Sequence, residues 1–475
     1  MWTEAIFANA LRCLLAAEGE LLLFATFWFI VSAIDEAAID LSWLWLRLNG
    51  HAGAGRVPAN LARSPLLGRA AILVPAWHEQ EVIGEMVAHL LGAWPQRDFT
   101  LYIGCYRNDP ATIEAAIAGI GNDTRVRLIV NPREGPTTKA DCLNRLYSAL
   151  REDEIRSGTM YRNVILHDAE DMVHPSALAV MDRALAEVDF VQLPVRPEPQ
   201  RASPWIAGHY SDEFTEAHAK TMVVRDALGA AIPAAGVGCG FSREALSHLA
   251  AMRMAAGASG PFAADCLTED YELGLLVSRN GGRSRFLRMR DADGSLVATR
   301  SFFPPTLDAA VRQKARWIHG IALQGWERLG WRGRPVDIWM ALRDRRGPLT
   351  AIVLASAYLL LAIEGILAVA RLAGWQGEVE RSPLLQWMIA IAFASFLWRA
   401  FFRFLFTTRE YGPVEGLRAV LRIPVANVIS IMAARRALKA YIRTLGGAEV
   451  SWDKTSHDSH PAAAQQRSVV AGLGA

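Results

Sequence analysis

The feature that most limits what this chain can become is the run Leu349–Ala370 (LTAIVLASAYLLLAIEGILAVA), in which Glu364 is the only charged residue. As a helix, about 20 such residues cross a hydrocarbon core of roughly 30 Å. Leu384–Phe406 (LLQWMIAIAFASFLWRAFFRFLF) repeats the pattern, with Arg399 and Arg403 near its far end, where long side chains reach the headgroups. A third candidate, Leu21–Ile34, offers only about 14 residues before Asp35 and Glu36, and spans only if flanking residues up to Leu41 complete it. Composition agrees with a membrane protein that keeps a large aqueous part. The hydrophobic fraction is 52% of 475 residues, with 15 Trp, and the mean hydropathy is +0.16. The segments 1–48 and 331–445 are therefore expected at the membrane, with an aqueous region 69–330 between them.

Basic residues set the orientation, because short loops rich in Lys and Arg stay on the cytoplasmic side. Arg47, Arg56 and Arg63 follow the first segment, and Arg343, Arg345 and Arg346 precede Leu349, which places both ends of the middle region in the cytoplasm. Two more crossings return the chain at Arg399, Arg403 and Arg409. The next apolar stretch, 414–434, contains Arg418, Arg422 and Pro424 and runs into Arg435, Arg436, Lys439 and Arg443. It is expected to lie along the membrane as an amphipathic interfacial helix. The Ser/His/Ala/Gln-rich segment 451–475 reads as a disordered tail. A net charge of +2 and the lack of a long basic run speak against a nucleic-acid partner. The five cysteines are scattered and form no C-x-x-C pair, which argues against a disulfide framework or a zinc site.

Between 69 and 189, apolar strands alternate with helical stretches: AAILVPA (70–76), TLYIGCY (100–106), VRLIVN (126–131) and NVILHD (163–168). This alternation predicts an α/β fold with a parallel sheet, whose ligands bind beyond the carboxyl ends of the strands. Polar residues stand at those ends: 75–79, 107–109 and 168–171. Two glycine-bearing stretches are set aside. G-V-G-C-G (236–240) lacks the spacing of a dinucleotide loop, and GPTTK (135–139) lacks that of a P-loop.

Three constellations offer chemistry, each with a plainer reading beside it. Asp168-Ala-Glu170 presents carboxylates to a hard divalent ion that also touches phosphate, although Asp171 before His174-Pro175-Ser176 could simply cap a helix. Asp270, in Thr268-Glu269-Asp270, is a candidate general base for an acceptor hydroxyl; the plain reading is a pair of acids favoured at a helix start. Gln313, Arg316 and Trp317 share one helix face and suit sugar and diphosphate, or simply a helix at the membrane surface.

In their order, VPAWHE (74–79), DAE (168–170), TED (268–270) and QKARW (313–317) give the chain a resemblance to the processive family 2 glycosyltransferases, which include cellulose, chitin and hyaluronan synthases. WHE, GPTTKADCLN (135–144) and LHDAEDMVHP (166–175) resemble the inner-membrane bacteriophage N4 adsorption protein B group. The resemblance implies a GT-A type, Rossmann-like nucleotide-sugar domain joined to transmembrane helices in a bacterial inner membrane. It implies inverting, metal-dependent transfer from a UDP-sugar, an N-acetylhexosamine first among them, to a growing cell-surface glycan, with Mg2+ or Mn2+. By position, Glu79 and Asp109 would meet the base and ribose, and Lys139 the diphosphate or uracil side. Asp168 and Glu170 would hold nucleotide and metal, Asp171 sharing the metal; Asp270 would be the base. Glu269, Gln313, Arg316 and Trp317 would face acceptor and diphosphate. An outer-membrane export partner belongs to the same set of expectations, and cyclic di-GMP control does not, since no R-x-x-x-R plus D-x-S-x-x-G pair occurs. A lipid-linked single-sugar transferase and a membrane scaffold with a vestigial site are the alternatives.

Overall fold

The computed structural model describes residues 2–377, 381–447, 457 and 459–463. The chain opens with one long helix, α1 (Trp2–Leu48). The aqueous region follows as a seven-stranded sheet: β1 (Ala70–Pro75), β2 (Phe99–Tyr106), β3 (Val126–Asn131), β4 (Asn163–Leu166), β5 (Phe190–Gln192), β6 (Cys239–Ser242) and β7 (Ser284–Phe286), in the spatial order β3-β2-β1-β4-β6-β5-β7. All neighbours pair in parallel except β6, which runs against both β4 and β5. Every residue of β1 and β2 is buried, as their continuous apolar runs require of strands covered on both faces.

Three helices of this region carry the site: α2 (Lys139–Ser157), α3 (Glu269–Arg279) and α4 (Leu307–Trp317). The chain direction of the parallel strands, and the switch in order at β1, put the loops after β1, β2 and β4 on one rim. The helix that ends at Trp317 continues through wide π-type turns over Ile318–Gln324. There Gly320 lies against Thr268: a Cβ at Gly320 would stand 2.5 Å from Thr268 Oγ1. Leu267 N donates to Gln324 Oε1 at 3.1 Å, so the segments bearing TED and QKARW are fastened together.

α1 packs with α5 (Gly347–Leu372) and α6 (Pro383–Tyr411), and all three are long and apolar enough to cross a bilayer. Two layers of ion pairs bracket them. At one level Asp35 and Glu36 of α1 pair with Arg343 and Arg346, and Asp40 pairs with Lys220 at 2.7 Å. At the other, Arg381 joins Glu18 of α1 and Glu364 of α5, each at 2.8 Å. Along α1 the layers lie about 25 Å apart, and along α5 about 27 Å, at 1.5 Å per residue. Both lengths match a hydrocarbon core of roughly 30 Å. The acids that seemed to cut the first segment short are thus paired, within a helix that runs on to Leu48.

The expected interfacial helix at 414–434 takes a different form. The chain makes two helices, α7 (Pro413–Leu421) and α8 (Ile423–Leu445), bent by 51° at Arg422; as one bent pair they count as a fourth candidate span. Arg422 is 1% exposed and is drawn inward to Asp212, with contacts at 2.7 and 2.9 Å, and to Glu415 at 2.9 Å. Breaking such a buried pair from one side costs about 3–5 kcal/mol, enough to fix the bend. Small residues of α8, Ala433 and Ala437, let it lie close against Ala315 of α4. The predicted disorder of 451–475 falls mostly outside the described residues; His457 and 459–463, however, are seated on the aqueous region, with His460 1% exposed.

Candidate active site

The rim loops enclose a cleft of about 430 Å³. The loop after β1 is pinned at its start by Ala76 N donating to Gly104 O at 2.8 Å. His78 adopts φ 52°, held by its N–H donating to Asp109 Oδ2 at 2.7 Å, and Glu79 N donates to Thr112 Oγ1 at 2.9 Å. After β4, His167 Nδ1 and Asp171 Oδ2 are 2.7 Å apart, and Asp168 N donates to the same oxygen at 3.0 Å. Lys139 opens α2 directly after its cap Thr138, whose hydroxyl accepts from Asp141 N. That position aims its side chain across the rim, where Nζ meets Asp168 Oδ1 at 2.6 Å.

Asp270 stands in the first turn of α3, where Oδ1 accepts from Tyr271 N at 2.7 Å. Its other oxygen lies beside Gly236, at which a Cβ would stand 2.3 Å from Asp270 Oδ2 and 3.2 Å from Lys139 Nζ. Gly236 itself has φ +74°, which a glycine adopts without strain. Gln192, at the end of β5, fixes this loop: its Oε1 accepts from Ala235 N at 2.8 Å and its Nε2 donates to Val237 O at 2.9 Å.

Burial shapes the charges. Glu170 is pushed up to about 8 by burial, opposed by His457 and reinforced by Asp168 and Glu79. Glu269 is likewise pushed up to about 8 by burial and by Asp270, against Lys139. Asp270 is raised by burial, an effect moderated by Lys139 and Arg316. Burial works against the charge of Lys139, but Asp168, Glu269 and Asp270 outweigh it and hold the ammonium above its ordinary value. Glu269 Oε1 and Gln313 Oε1 are buried acceptors without a hydrogen-bond donor among the described residues, the kind of group a polar ligand satisfies.

The cleft therefore gathers Glu79, Lys139, Asp168, Glu170, Asp171, Glu269, Asp270, Gln313, Arg316 and Trp317 from segments far apart in sequence. Trp317 stands in an aromatic group with Tyr210, Phe214 and Phe303, at ring distances of 6.0, 6.2 and 6.5 Å. Two expected residues have other duties. Asp109 is 2% exposed and caps the helix Pro110–Ile120 while clamping His78, so it shapes the loop that carries Glu79 and does not line the cleft. Asp171 is 1% exposed, and one oxygen of its carboxylate, Oδ2, is held by His167 and the backbone of Asp168, so it orients the acidic loop. Sequence reasoning missed Gly236 and His457. The G-V-G-C-G run was the available signal for the first. For the second there was none, because its place depends on the whole fold.

The family model described as glycosyltransferase like family 2 matches residues 68–320. Bacteriophage adsorption protein B of Escherichia coli strain K12 and bacteriophage N4 adsorption protein B of Escherichia coli O157:H7 are each 32% identical over 466 residues, covering 92% of this chain. The chain spans 62% of the length of these relatives. Among solved structures, the mannosyltransferase PcManGT from Pyrobaculum calidifontis, in complex with GDP-Man and Mn2+, is similar with a TM-score of 0.53 and 16% identity, over 88% of this chain and 99% of that one. That is a likeness of fold, and it agrees with the GT-A type arrangement of the sheet. With just over half of the chain matched by the family model, and the four acidic and aromatic motifs gathered at one rim of its sheet, the chain belongs to the glycosyltransferase like family 2.

Proposed function

We propose that the protein transfers a sugar, with inversion, from a UDP-sugar to a glycan acceptor at a bacterial inner membrane, its catalytic region on the cytoplasmic side. The observation that carries this reading is the meeting of Asp270, Lys139 and Asp168 in one cleft, with Trp317 on its wall. Asp270 takes the proton of the acceptor hydroxyl as that oxygen bonds to the anomeric carbon. The bond from this carbon to the diphosphate breaks, and UDP leaves with its charge met by Lys139 and Arg316. Raised by burial, Asp270 is a stronger base than an ordinary carboxylate. Glu170, with Asp168 and Glu79 nearby, supplies the oxygen ligands a hard divalent cation prefers. When bound, Mg2+ or Mn2+ would neutralise diphosphate charge there. The aromatic group around Trp317 favours a saccharide acceptor, since sugar faces stack on aromatic rings.

The orientation rests on the arginines beside Leu349. The test is UDP release by detergent-purified protein offered a panel of UDP-sugars with Mg2+ or Mn2+. GDP-mannose, read by GDP release, belongs in the panel, given the ligand of the mannosyltransferase of like fold. Donor-specific release that rises with added glycan acceptor supports the reading. No release from any donor, in a protein that is folded and membrane-inserted, contradicts it.

A further inference from the structure

A second cavity, of about 280 Å³, lies where the membrane helices meet the catalytic region. Three parts of the chain enclose it: the end of α1 with the loop that follows, residues 288–290, and the end of α6. Gly55 and Arg56 of that loop pair in parallel with Met289 and Arg290. The rings of Trp43 and Phe406, 5.1 Å apart, make an apolar wall. The polar lining is cationic: Arg47, Arg56, Arg288, Arg290 and Arg409 stand there with one acid, Glu410. Arg288 and Arg290 share a single oxygen of that acid, Oε1, which Arg288 meets at 2.6 Å. Arg47, Arg56 and Arg409 are exposed and have no acidic partner among the described residues. Burial holds the Arg288 guanidinium below its ordinary value in spite of Glu410, and Arg290 and Arg409 press it in the same direction. The positive charge of the cavity is therefore under-neutralised.

We propose that this cavity holds the phosphate group of an anionic phospholipid, drawn from the leaflet on the side of the catalytic region. The proposal rests on the reading of α1 and α6 as membrane helices, and not on the transfer reaction. Two observations put the cavity at headgroup level. Trp45 and Leu48, in the last turn of α1 on either side of Arg47, are 63% and 86% exposed, apolar surface that a bilayer interface covers. Just beyond Glu410, α7 presents Val414, Leu417 and Leu421 as a second exposed apolar row on one helix face. The rule that keeps Lys and Arg on the cytoplasmic side accounts for basic residues here. It does not account for five guanidinium groups gathered around a cavity with one carboxylate. Guanidinium groups bind phosphate oxygens in pairs, and basic pockets between membrane helices suit anionic headgroups. A phosphate seated there would tie α1 and α6 to residues 288–290, bracing the catalytic region against the membrane helices.

The full chain in neutral detergent, titrated with phosphatidylglycerol, phosphatidylcholine or inorganic phosphate, tests this, with bound lipid counted by native mass spectrometry and the unfolding temperature read alongside. Phosphatidylglycerol should be retained and should raise the unfolding temperature, as a ligand of the folded state does; phosphatidylcholine should do neither. Arg47→Gln combined with Arg409→Gln removes two exposed, unpartnered cations, so the fold is kept. Phosphatidylglycerol binding should weaken at least about tenfold in that protein, since each cation near an anionic lipid contributes about fivefold. Arg435→Gln combined with Lys439→Gln removes the same charge outside the cavity and should leave binding unchanged. Equal retention of both lipids, or an equal loss in the two double variants, would reduce the effect to general surface attraction and overturn the proposal. Stabilisation by inorganic phosphate that depends on Arg47 and Arg409, without retention of phosphatidylglycerol, would overturn the lipid as the source of the phosphate. A parent protein that stays soluble without detergent would sink the membrane reading and this proposal with it. UDP-sugar turnover without lipid retention would sink the lipid site alone.

Discussion

Lys139 Nζ lies 2.6 Å from Asp168 Oδ1, and the same ammonium faces Glu269 and Asp270 across the cleft. One cation thus serves the acids after β4 and those at the start of α3. Its first consequence concerns pH. Asp270 acts as a base only when deprotonated, and burial raises it above the ordinary carboxylate value of about 3.9. Turnover should therefore fall as pH drops, with the acid limb above that value. Lys139→Gln removes an influence that lowers Asp270, so the limb should move to higher pH, with weaker donor binding. A pH–rate profile of both proteins checks this; a limb that stays in place in Lys139→Gln would separate Lys139 from Asp270.

Gly236→Ala tests the packing behind the base. A Cβ there meets Asp270 Oδ2 at 2.3 Å, on a residue with φ +74°. The strain of a positive φ costs about 1–2 kcal/mol, so the protein should remain folded while the carboxylate is displaced. Turnover should drop at least ~10-fold with only a modest fall in thermal unfolding temperature. Normal kcat in a folded Gly236→Ala protein would show that the close approach has no bearing on the base.

On α4, Trp317→Ala should raise the KM for acceptor while leaving UDP affinity largely unchanged, because an aromatic face stacks on sugar and carries no net charge. Arg316→Ala should instead weaken UDP binding and kcat. Parallel titrations of UDP and acceptor distinguish them. Equal, small effects would favour a helix that only supports the membrane boundary.

For topology, the two ion-pair layers at opposite ends of α1 and α5 place Arg346 and Gly377 on opposite sides, and the arginine bias makes a reporter after Arg346 cytoplasmic and one near Gly377 external. Labelling of single cysteines at these places with a membrane-impermeant reagent gives the same information. A Gly377 site protected from outside would contradict the orientation.

Much of this was legible in the sequence, for identifiable reasons. Parallel strands buried on both faces write continuous apolar runs, so β1, β2 and β4 could be read directly, and with them the rim where Glu79, Asp168 and Glu170 stand. The apolar runs behind α5 and α6 were equally plain. What escaped depends on partners distant in the chain. Arg422 looked like an interfacial cation, yet Asp212, some two hundred positions earlier, draws it inside and bends the chain. Asp35 and Glu36 seemed to end a short apolar segment, until Arg343 and Arg346 were placed against them. Gly236 was set aside because its pattern failed a dinucleotide motif, when its use is to let Asp270 and Lys139 come close. His457 sits in a segment whose composition reads as disorder, and only the anchoring of His460 at Asp171 brings it to Glu79 and Glu170.

The central claim is that Asp270 removes the acceptor proton. Asp270→Asn keeps the shape and, as a residue suited to helix starts, should cost little stability, but an amide cannot take the proton. UDP affinity by titration and UDP release by coupled assay, on the same detergent-purified sample with thermal unfolding alongside, give the decisive comparison. The account predicts near-parental UDP affinity and unfolding temperature with transfer at least ~100-fold slower, the scale of general-base catalysis. Near-normal turnover in a folded Asp270→Asn protein would contradict it.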